Sequence, residues 1–225
     1  YVKTCDGNFI SLESSYKSPN CNRCILLISM LTVLTLIMQL THTFGYDCEE
    51  IDSLISDNTL DKFLKKLVTL GGQQDPDFYD PLKYMGDGFE WFVEYFFKVL
   101  DKDHTLTYTS DYYPNTDYDR GIDGRGISTL DGLPNVIQSK FKADPNAYLT
   151  NKDNISNIAA DATMNEGLQY NGKNVIIITS CKGVHPKHAM ANVHCISREQ
   201  IARRVDNNVP FWDNLRTIVK EQNAK

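Results

Sequence analysis

The chain has 225 residues, enough for one large domain or for one compact domain with a tail. Hydrophobic residues make up 41% and charged residues 23%, which excludes a wholly disordered protein. The formal net charge of −6 argues against a protein whose whole surface coats nucleic acid or an anionic membrane.

The charge is distributed unevenly along the chain. Residues 47–134 carry 8 Lys and Arg against 19 Asp and Glu, whereas residues 135–225 carry 12 against 8. The basic C-terminal half is therefore able to face a polyanion. The 6 cysteines are too few for a disulfide scaffold of this length, so we expect a reducing compartment.

An N-terminal region over residues 1–71 is predicted to contain a polar stretch with cysteines, an apolar helix and an amphipathic helix. The apolar run from Cys24 to Leu40 has no charged residue and lies at the lower length limit for crossing a membrane. It is either a membrane span or a helix buried against the amphipathic helix, and the sequence favours the buried helix.

The cysteines of the polar stretch have the spacing C-x15-C-x2-C, and their last pair matches a zinc knuckle. These are Cys5, Cys21 and Cys24. Three ligands are too few for a structural site, although Cys48 or His42 could supply a fourth. The sequence therefore favours ordinary free cysteines over zinc.

Apolar residues recur at helical spacing from Ile51 to Leu70, and Gly71-Gly72 provides a stop. The polar, turn-rich stretch that follows predicts a linker over residues 72–85 and a second domain over residues 86–225.

The segment Phe89–Leu100 is apolar around most of its circumference, which predicts a helix buried between layers. Glu90 and Glu94 share one face of this helix, with Lys98 one turn further along. The simplest explanation of Glu94 is an ion pair with Lys98 on an exposed strip. The simplest explanation of Glu90 is a favourable interaction of its negative charge with the helix dipole near the helix N-terminus.

Two strands are predicted on either side of a turn at residues 131–134, after a strand over Thr105–Tyr112 and a polar turn. Asp123 lies between glycines, where a neighbouring strand can approach closely. Gln138 and Lys140 lie two residues apart on the second strand and point to the same face. The alternative is a turn aspartate and a polar pair facing solvent on an edge strand.

A carboxylate followed by a short hairpin, an amide and a lysine suits a Mg²⁺-dependent phosphodiesterase. Mg²⁺ takes hard oxygen ligands and keeps several waters. A lysine beside the metal can orient the attacking water and offset the charge of the transition state.

Further along the chain, the pattern predicts a helix over Ile155–Leu168, a buried strand over Val175–Ile178, a helix behind the capping box Ser197–Gln200, and a last helix opening at Phe211 and Trp212. Cys181 at the strand end has no base beside it and fits a plain buried thiol.

Between Gly86 and Ile201 the chain resembles the PD-(D/E)XK nuclease superfamily, and within it the Mrr-type restriction endonuclease domain. The matching segments, in order, are GDGFE (86–90), DRGIDG (119–124), VIQSK (136–140), NVIIITS (174–180) and NVHCISREQI (192–201). The resemblance implies an α/β fold, with a three-layer α/β/α restriction-endonuclease-like core and a mixed β-sheet preceded by a helical N-terminal region.

The resemblance also implies roles for individual residues. Asp123 would be the principal metal-binding carboxylate, Gln138 would take the variable acidic position as a metal ligand, and Lys140 would be the catalytic lysine. Glu90 would complete the catalytic and metal site from the helix, with Glu94 as an alternative. Gln138 is neutral where many members carry Glu or Asp, although Mrr-like relatives commonly have Gln there.

These roles imply an intracellular, metal-dependent endonuclease that hydrolyses DNA phosphodiester bonds with Mg²⁺, or Mn²⁺ in its place, as a monomer or a homo-oligomer. The alternative is a catalytically inactive nuclease-like module that binds DNA or a partner and is tethered to a membrane through residues 24–40. The candidates for DNA-backbone contacts are Lys182, Lys187, Arg198, Arg203 and Arg204.

Overall fold

A computed structural model describes residues 2–3, 9–10, 52–100, 104–115, 121–165 and 174–223. The chain divides into two compact units, residues 1–38 and 39–225. In the first unit, strand β1 (Val2–Lys3) pairs antiparallel with strand β2 (Phe9–Ile10). The zinc-candidate cysteines and the apolar run 24–40 lie outside the described residues. Among those that are described, no helix is both long and apolar enough to cross a membrane.

The second unit contains two helices, three strands, one helix, two strands and two helices, in this order along the described chain. Its helices are α1 (Leu60–Gly71), α2 (Pro81–Tyr95), α3 (Ile155–Asn165), α4 (Arg198–Val205) and α5 (Val209–Asn223). Its strands are β3 (Thr109–Pro114), β4 (Gly124–Ser128), β5 (Pro134–Lys140), β6 (Val175–Thr179) and β7 (Val193–Ile196).

The five strands form one sheet in the order β3-β4-β5-β6-β7. The β3–β4 and β4–β5 pairs are antiparallel, whereas β5–β6 and β6–β7 are parallel. Every residue of β6 is buried, as its continuous apolar run predicts for a strand with neighbours on both sides. The predicted α/β class with a mixed sheet is confirmed.

Helices cover both faces of this sheet. Val136 and Ile177 pack in one buried cluster with Ile155 and Ile158 of α3. Because side chains alternate along a strand, Phe141 continues the opposite face of β5. There the ring of Phe89 in α2 lies 6.1 Å from the Phe141 ring, centroid to centroid.

Helix α2 begins eight residues before the predicted start at Phe89. Asp80 caps it, since its carboxylate accepts hydrogen bonds from the backbone N–H groups of Leu82 and Lys83, and Pro81 occupies the first helical turn. Glu90 therefore lies in the helix interior, and the explanation that places it at the helix N-terminus is wrong. A π-helical turn, Phe96–Leu100, continues the helix.

Helix α1 packs into the core of the second unit. The Phe63 ring lies 4.9 Å from the Phe92 ring and 6.4 Å from the Trp212 ring, so α1 touches both α2 and α5. The predicted boundaries at residues 71 and 85 do not coincide with the compact units, because α1 buries its apolar face against the predicted second domain. Residues 81–85 belong to α2 instead of a linker.

Candidate active site

Asp123 lies immediately before β4, directly across from the middle of β5. Its backbone N–H donates to the Ile137 carbonyl at 2.9 Å. Its side-chain Oδ2 accepts a hydrogen bond from the backbone N–H of Ser139 at 2.5 Å. The Asp123 carboxylate is therefore fixed against the peptide between Gln138 and Ser139, one residue from Lys140.

Gln138 is buried beside Asp123, with its side chain 3% exposed. Its Nε2 donates to the Gly121 carbonyl at 2.7 Å, which fixes the orientation of the amide. The opposite atom, Oε1, is buried and accepts no hydrogen bond within the described part of the chain. Since buried polar oxygens are normally satisfied, this oxygen is available to a ligand.

Gly121 is required by this arrangement. Its φ of +93° lies in the region that favours glycine, and a Cβ atom there would come 2.5 Å from the Nε2 atom of Gln138. The glycine before Asp123 thus permits both the sharp bend of the chain and the close approach of Gln138.

Lys140 ends β5 and is half-buried. In the parallel register it pairs with Thr179, the last residue of β6, and its carbonyl accepts a 2.7 Å hydrogen bond from the Thr179 hydroxyl. The backbone of Lys140 is therefore fixed at the carboxyl edge of the sheet, where ligands of open α/β sheets commonly bind.

The charges of Asp123 and Lys140 both act on Glu90. Burial and the nearby negative charge of Asp123, with a smaller contribution from Asp87, raise the pKa of Glu90 to about 8, whereas Lys83 and Lys140 oppose the rise. A carboxyl group whose ionisation is opposed by a neighbouring carboxylate lies in an environment that a cation would stabilise.

Glu94, one turn further along α2, is paired with Lys98 instead. It is 1% exposed, and one of its oxygens lies 2.5 Å from the Lys98 ammonium, whose side chain is 10% exposed. Burial raises the pKa of Glu94 and Lys98 lowers it, with no contribution from Asp123. The predicted ion pair is confirmed, but the exposed strip is wrong because the second oxygen of Glu94 is also buried.

The residues present fit a hard divalent cation. The carboxylates of Asp123 and Glu90 and the Oε1 atom of Gln138 are oxygen ligands of the kind that Mg²⁺ and Mn²⁺ take, with waters completing the coordination. In the described ranges no group of three or more His, Cys, Asp and Glu side chains could hold a metal ion. A site here depends on the amide oxygen of Gln138 as its third protein ligand.

Sequence reasoning missed Tyr112. Its ring stacks on Phe97 at 4.6 Å between centroids with an angle of 25°. A Cβ atom at Gly124 would come 2.5 Å from this ring, so glycine after Asp123 makes room for it. Burial and the charges of Glu94, Asp123 and Glu90 raise the pKa of Tyr112 well above its usual range. No sequence pattern separates this tyrosine from its neighbour Tyr113.

The predicted backbone-contact residues differ in their surroundings. Arg198 forms an ion pair with Asp61, and Arg203 forms one with Glu199 at 2.5 Å. Arg204 donates to the Thr105 hydroxyl. The two lysines of this set, Lys182 and Lys187, are exposed on the loop after β6.

Comparisons of the chain with family models, with curated proteins and with solved structures found no match.

Proposed function

We propose that this protein is a metal-dependent endonuclease of the PD-(D/E)XK type that hydrolyses DNA phosphodiester bonds. One observation carries the proposal: the Asp123 carboxylate is hydrogen-bonded to the Ser139 N–H beside Gln138, Lys140 ends the same strand, and Glu90 of α2 is close enough to respond to the charges of Asp123 and Lys140. The order of elements, α2-β3-β4-β5-α3-β6, supports a restriction-endonuclease-like core around this site.

Asp123, Glu90 and Gln138 would hold a Mg²⁺ ion, with Mn²⁺ as a substitute. When bound, the metal would supply a Lewis acid and a water of lowered pKa. Glu90 must lose its proton to bind a cation, and Gln138 presents an oxygen that has no partner in the described residues. The Ser139 N–H group keeps the Asp123 carboxylate in place.

Lys140 acts on the substrate side of the site in this proposal. Its ammonium would orient the attacking water with a hydrogen bond and offset the negative charge that accumulates on the phosphoryl group in the transition state. Preorganised charge of this kind commonly contributes about 10²–10³-fold to the rate of a reaction. Its backbone pairing to β6 keeps that position fixed.

The test is cleavage of supercoiled and linear DNA by the full chain with Mg²⁺, with Mn²⁺ and with EDTA. Asp123→Asn and Lys140→Ala should each lower metal-dependent cleavage by at least about 100-fold. The matched controls are Asp77→Asn and Lys152→Ala, which change an exposed carboxylate and an exposed ammonium outside the site and should retain cleavage.

A different outcome would reject the proposed nuclease activity. If no form cuts DNA under any metal condition while wild type, Asp123→Asn and Lys140→Ala bind DNA equally, the protein is a binding module and the catalytic assignment is rejected.

A further inference from the structure

A cluster of aromatic and basic side chains, three of them exposed and two half-buried, lies at the carboxyl edge of the sheet, outside the candidate active site. Its members are Tyr148, Lys182, His185, Lys187 and His188, called here the Tyr148 cluster. Lys182 lies three residues beyond Thr179, which pairs with Lys140. Because β5 and β6 are parallel neighbours, the cluster and Lys140 lie at the same edge of the sheet.

The aromatic rings of the cluster form a row, in which His185 lies between Tyr148 and His188. The Tyr148 and His185 ring centroids lie 5.4 Å apart at an interplanar angle of 80°, and those of His185 and His188 lie 5.8 Å apart. The Lys182 ammonium lies 5.7 Å from the centroid of the Tyr148 ring. Tyr148 nevertheless remains 41% exposed, so a large part of its ring faces solvent.

Backbone hydrogen bonds hold the cluster in place. Leu149 donates to the Gly183 carbonyl at 2.8 Å, and His185 donates to the Leu149 carbonyl at 2.8 Å. Lys182 donates to the Ala147 carbonyl at 3.1 Å. The segments that carry Tyr148 and His185 are therefore joined side by side, and an exposed ring on fixed backbone loses little conformational entropy when it binds a partner.

The orientation of His185 adds a directed donor. Its Nδ1 atom accepts a 3.2 Å hydrogen bond from the backbone N–H of Lys187 at the start of the short 3₁₀ turn Pro186–His188. The neutral ring must then carry its proton on Nε2. That N–H group can donate to a phosphate oxygen or to the edge of a base.

The charge around the cluster suits a polyanion. Residues 181–197, which carry most of the cluster, contain Lys182 and Lys187 and no Asp or Glu, in a chain of net charge −6. Lys182 and Lys187 are both exposed. Sites that bind single-stranded nucleic acids commonly combine aromatic rings with exposed cations. Each base can stack its flat face on an aromatic ring, and each phosphate carries a negative charge that a cation can neutralise.

We infer that the Tyr148 cluster binds an unpaired stretch of DNA, with a base stacked on Tyr148 and the flanking phosphates on Lys182 and Lys187. The inference rests on the proposed function, since it places a frayed or single-stranded part of the substrate beside the cleavage site. We therefore expect the protein to prefer DNA in which a base can leave the double helix.

The experiment is fluorescence anisotropy of a labelled single-stranded DNA oligonucleotide and of a matched blunt duplex, with the full chain in EDTA so that no cleavage occurs. Tyr148→Ala should weaken single-strand binding by about 5–150-fold, because stacking contributes roughly 1–3 kcal/mol per base. Tyr148→Phe keeps the ring and should stay within about twofold of wild type. Duplex binding should change less than single-strand binding in the Tyr148→Ala variant.

Two controls separate stacking from general surface effects. Phe78 is 89% exposed and lies before α2, outside the cluster, so Phe78→Ala should leave binding unchanged. Lys182→Ala should lower the slope of log affinity against log salt by about 0.7, as expected for one lost phosphate contact on a single strand, whereas Lys152→Ala should not.

Equal single-strand affinity of wild type and Tyr148→Ala would overturn the inference, and so would an equal effect of Phe78→Ala. Because this assay needs no cleavage, its result is independent of the nuclease test. Loss of metal-dependent cutting in Asp123→Asn together with unchanged binding by Tyr148→Ala would leave the proposed function standing and reject the Tyr148 cluster as its DNA site.

Discussion

Glu90, a residue of the candidate active site, makes the stability of the fold depend on pH. Its pKa is raised to about 8 from the 4.5 of an ordinary glutamate, so between these values the unfolded chain is ionised at Glu90 while the native protein keeps the proton. The unfolded state then binds fewer protons than the native state, and the contribution of Glu90 to the free energy of unfolding falls as pH rises through this window.

We therefore expect Glu90→Gln to stabilise the metal-free protein more at pH 8 than at pH 4.5, by roughly 1–2 kcal/mol because Glu90 is partly exposed to solvent. Urea unfolding at the two pH values measures the difference. Glu199→Gln removes an exposed carboxylate and should show no such pH-dependent gain. Parallel pH profiles for wild type and Glu90→Gln would contradict the assignment of Glu90 to a half-buried, charge-opposed position.

Substitution of Gly121 tests whether the contact with Gln138 constrains the site. Gly121→Ala introduces both an unfavourable positive φ and a Cβ atom 2.5 Å from Gln138 Nε2, whereas Gly132→Ala introduces only the unfavourable φ of +71° in open space. The left-handed conformation alone costs roughly 1–2 kcal/mol. Gly121→Ala should cost at least about 1 kcal/mol more than Gly132→Ala in urea unfolding. Equal losses would mean that the contact with Gln138 does not constrain the site.

At the scale of the element, α2 carries two different carboxylates on one face. Glu90 faces Asp123 and Lys140, whereas Glu94 lies a turn further on and pairs with Lys98 inside the protein. Removing one member of a buried ion pair leaves the other charge uncompensated and is commonly destabilising by about 3–5 kcal/mol. Each of the two charges, Glu94 and Lys98, therefore depends on the other to be tolerated inside the protein.

Lys98→Met should lower the free energy of unfolding by about 3 kcal/mol, and adding Glu94→Gln should restore part of that loss because no buried charge remains. Arg203→Met breaks an exposed pair of the same spacing on α4, with Glu199, and should cost less than about 1 kcal/mol. A double-mutant cycle in urea measures the coupling. If Lys98→Met costs no more than Arg203→Met, the Glu94–Lys98 pair does not stabilise the native state.

At the scale of the whole molecule, local patterns predicted individual strands, whereas the mixed sheet was implied by the family resemblance. The residue pattern predicted a strand that carries Gln138 and Lys140 after Asp123, and β5 is observed there beside β4. The early start of α2 has a local signal, since Asp80 followed by Pro81 is typical of a helix N-terminus, whereas the apolar run by itself begins only at Phe89.

Other features depend on contacts between distant parts of the chain. The ring of Phe63 meets Trp212, and the sequence contains no signal that α1 belongs beside α5. The burial of Glu94 likewise follows from neighbours supplied by other elements, since its position on α2 alone fits an exposed pair equally well. Domain boundaries and buried charges were therefore the least predictable features.

The position of α1 predicts where this chain can be shortened. A fragment of residues 39–225 keeps the whole second unit, whereas one of residues 72–225 lacks α1 and leaves the Phe92 and Trp212 rings without Phe63. Loss of one buried phenylalanine side chain alone commonly costs about 3–5 kcal/mol, which is a large part of the stability of a typical domain.

We expect fragment 39–225 to unfold in urea with a single cooperative transition and fragment 72–225 to show none. In the full chain, Phe63→Ala should lower the free energy of unfolding by about 3–5 kcal/mol, while Val68→Ala, on the exposed side of α1, should lower it by less than about 1 kcal/mol. A cooperative transition of fragment 72–225 at the same urea concentration as fragment 39–225 would show that α1 is dispensable. The unit that folds would then begin with α2, as the sequence pattern alone suggested.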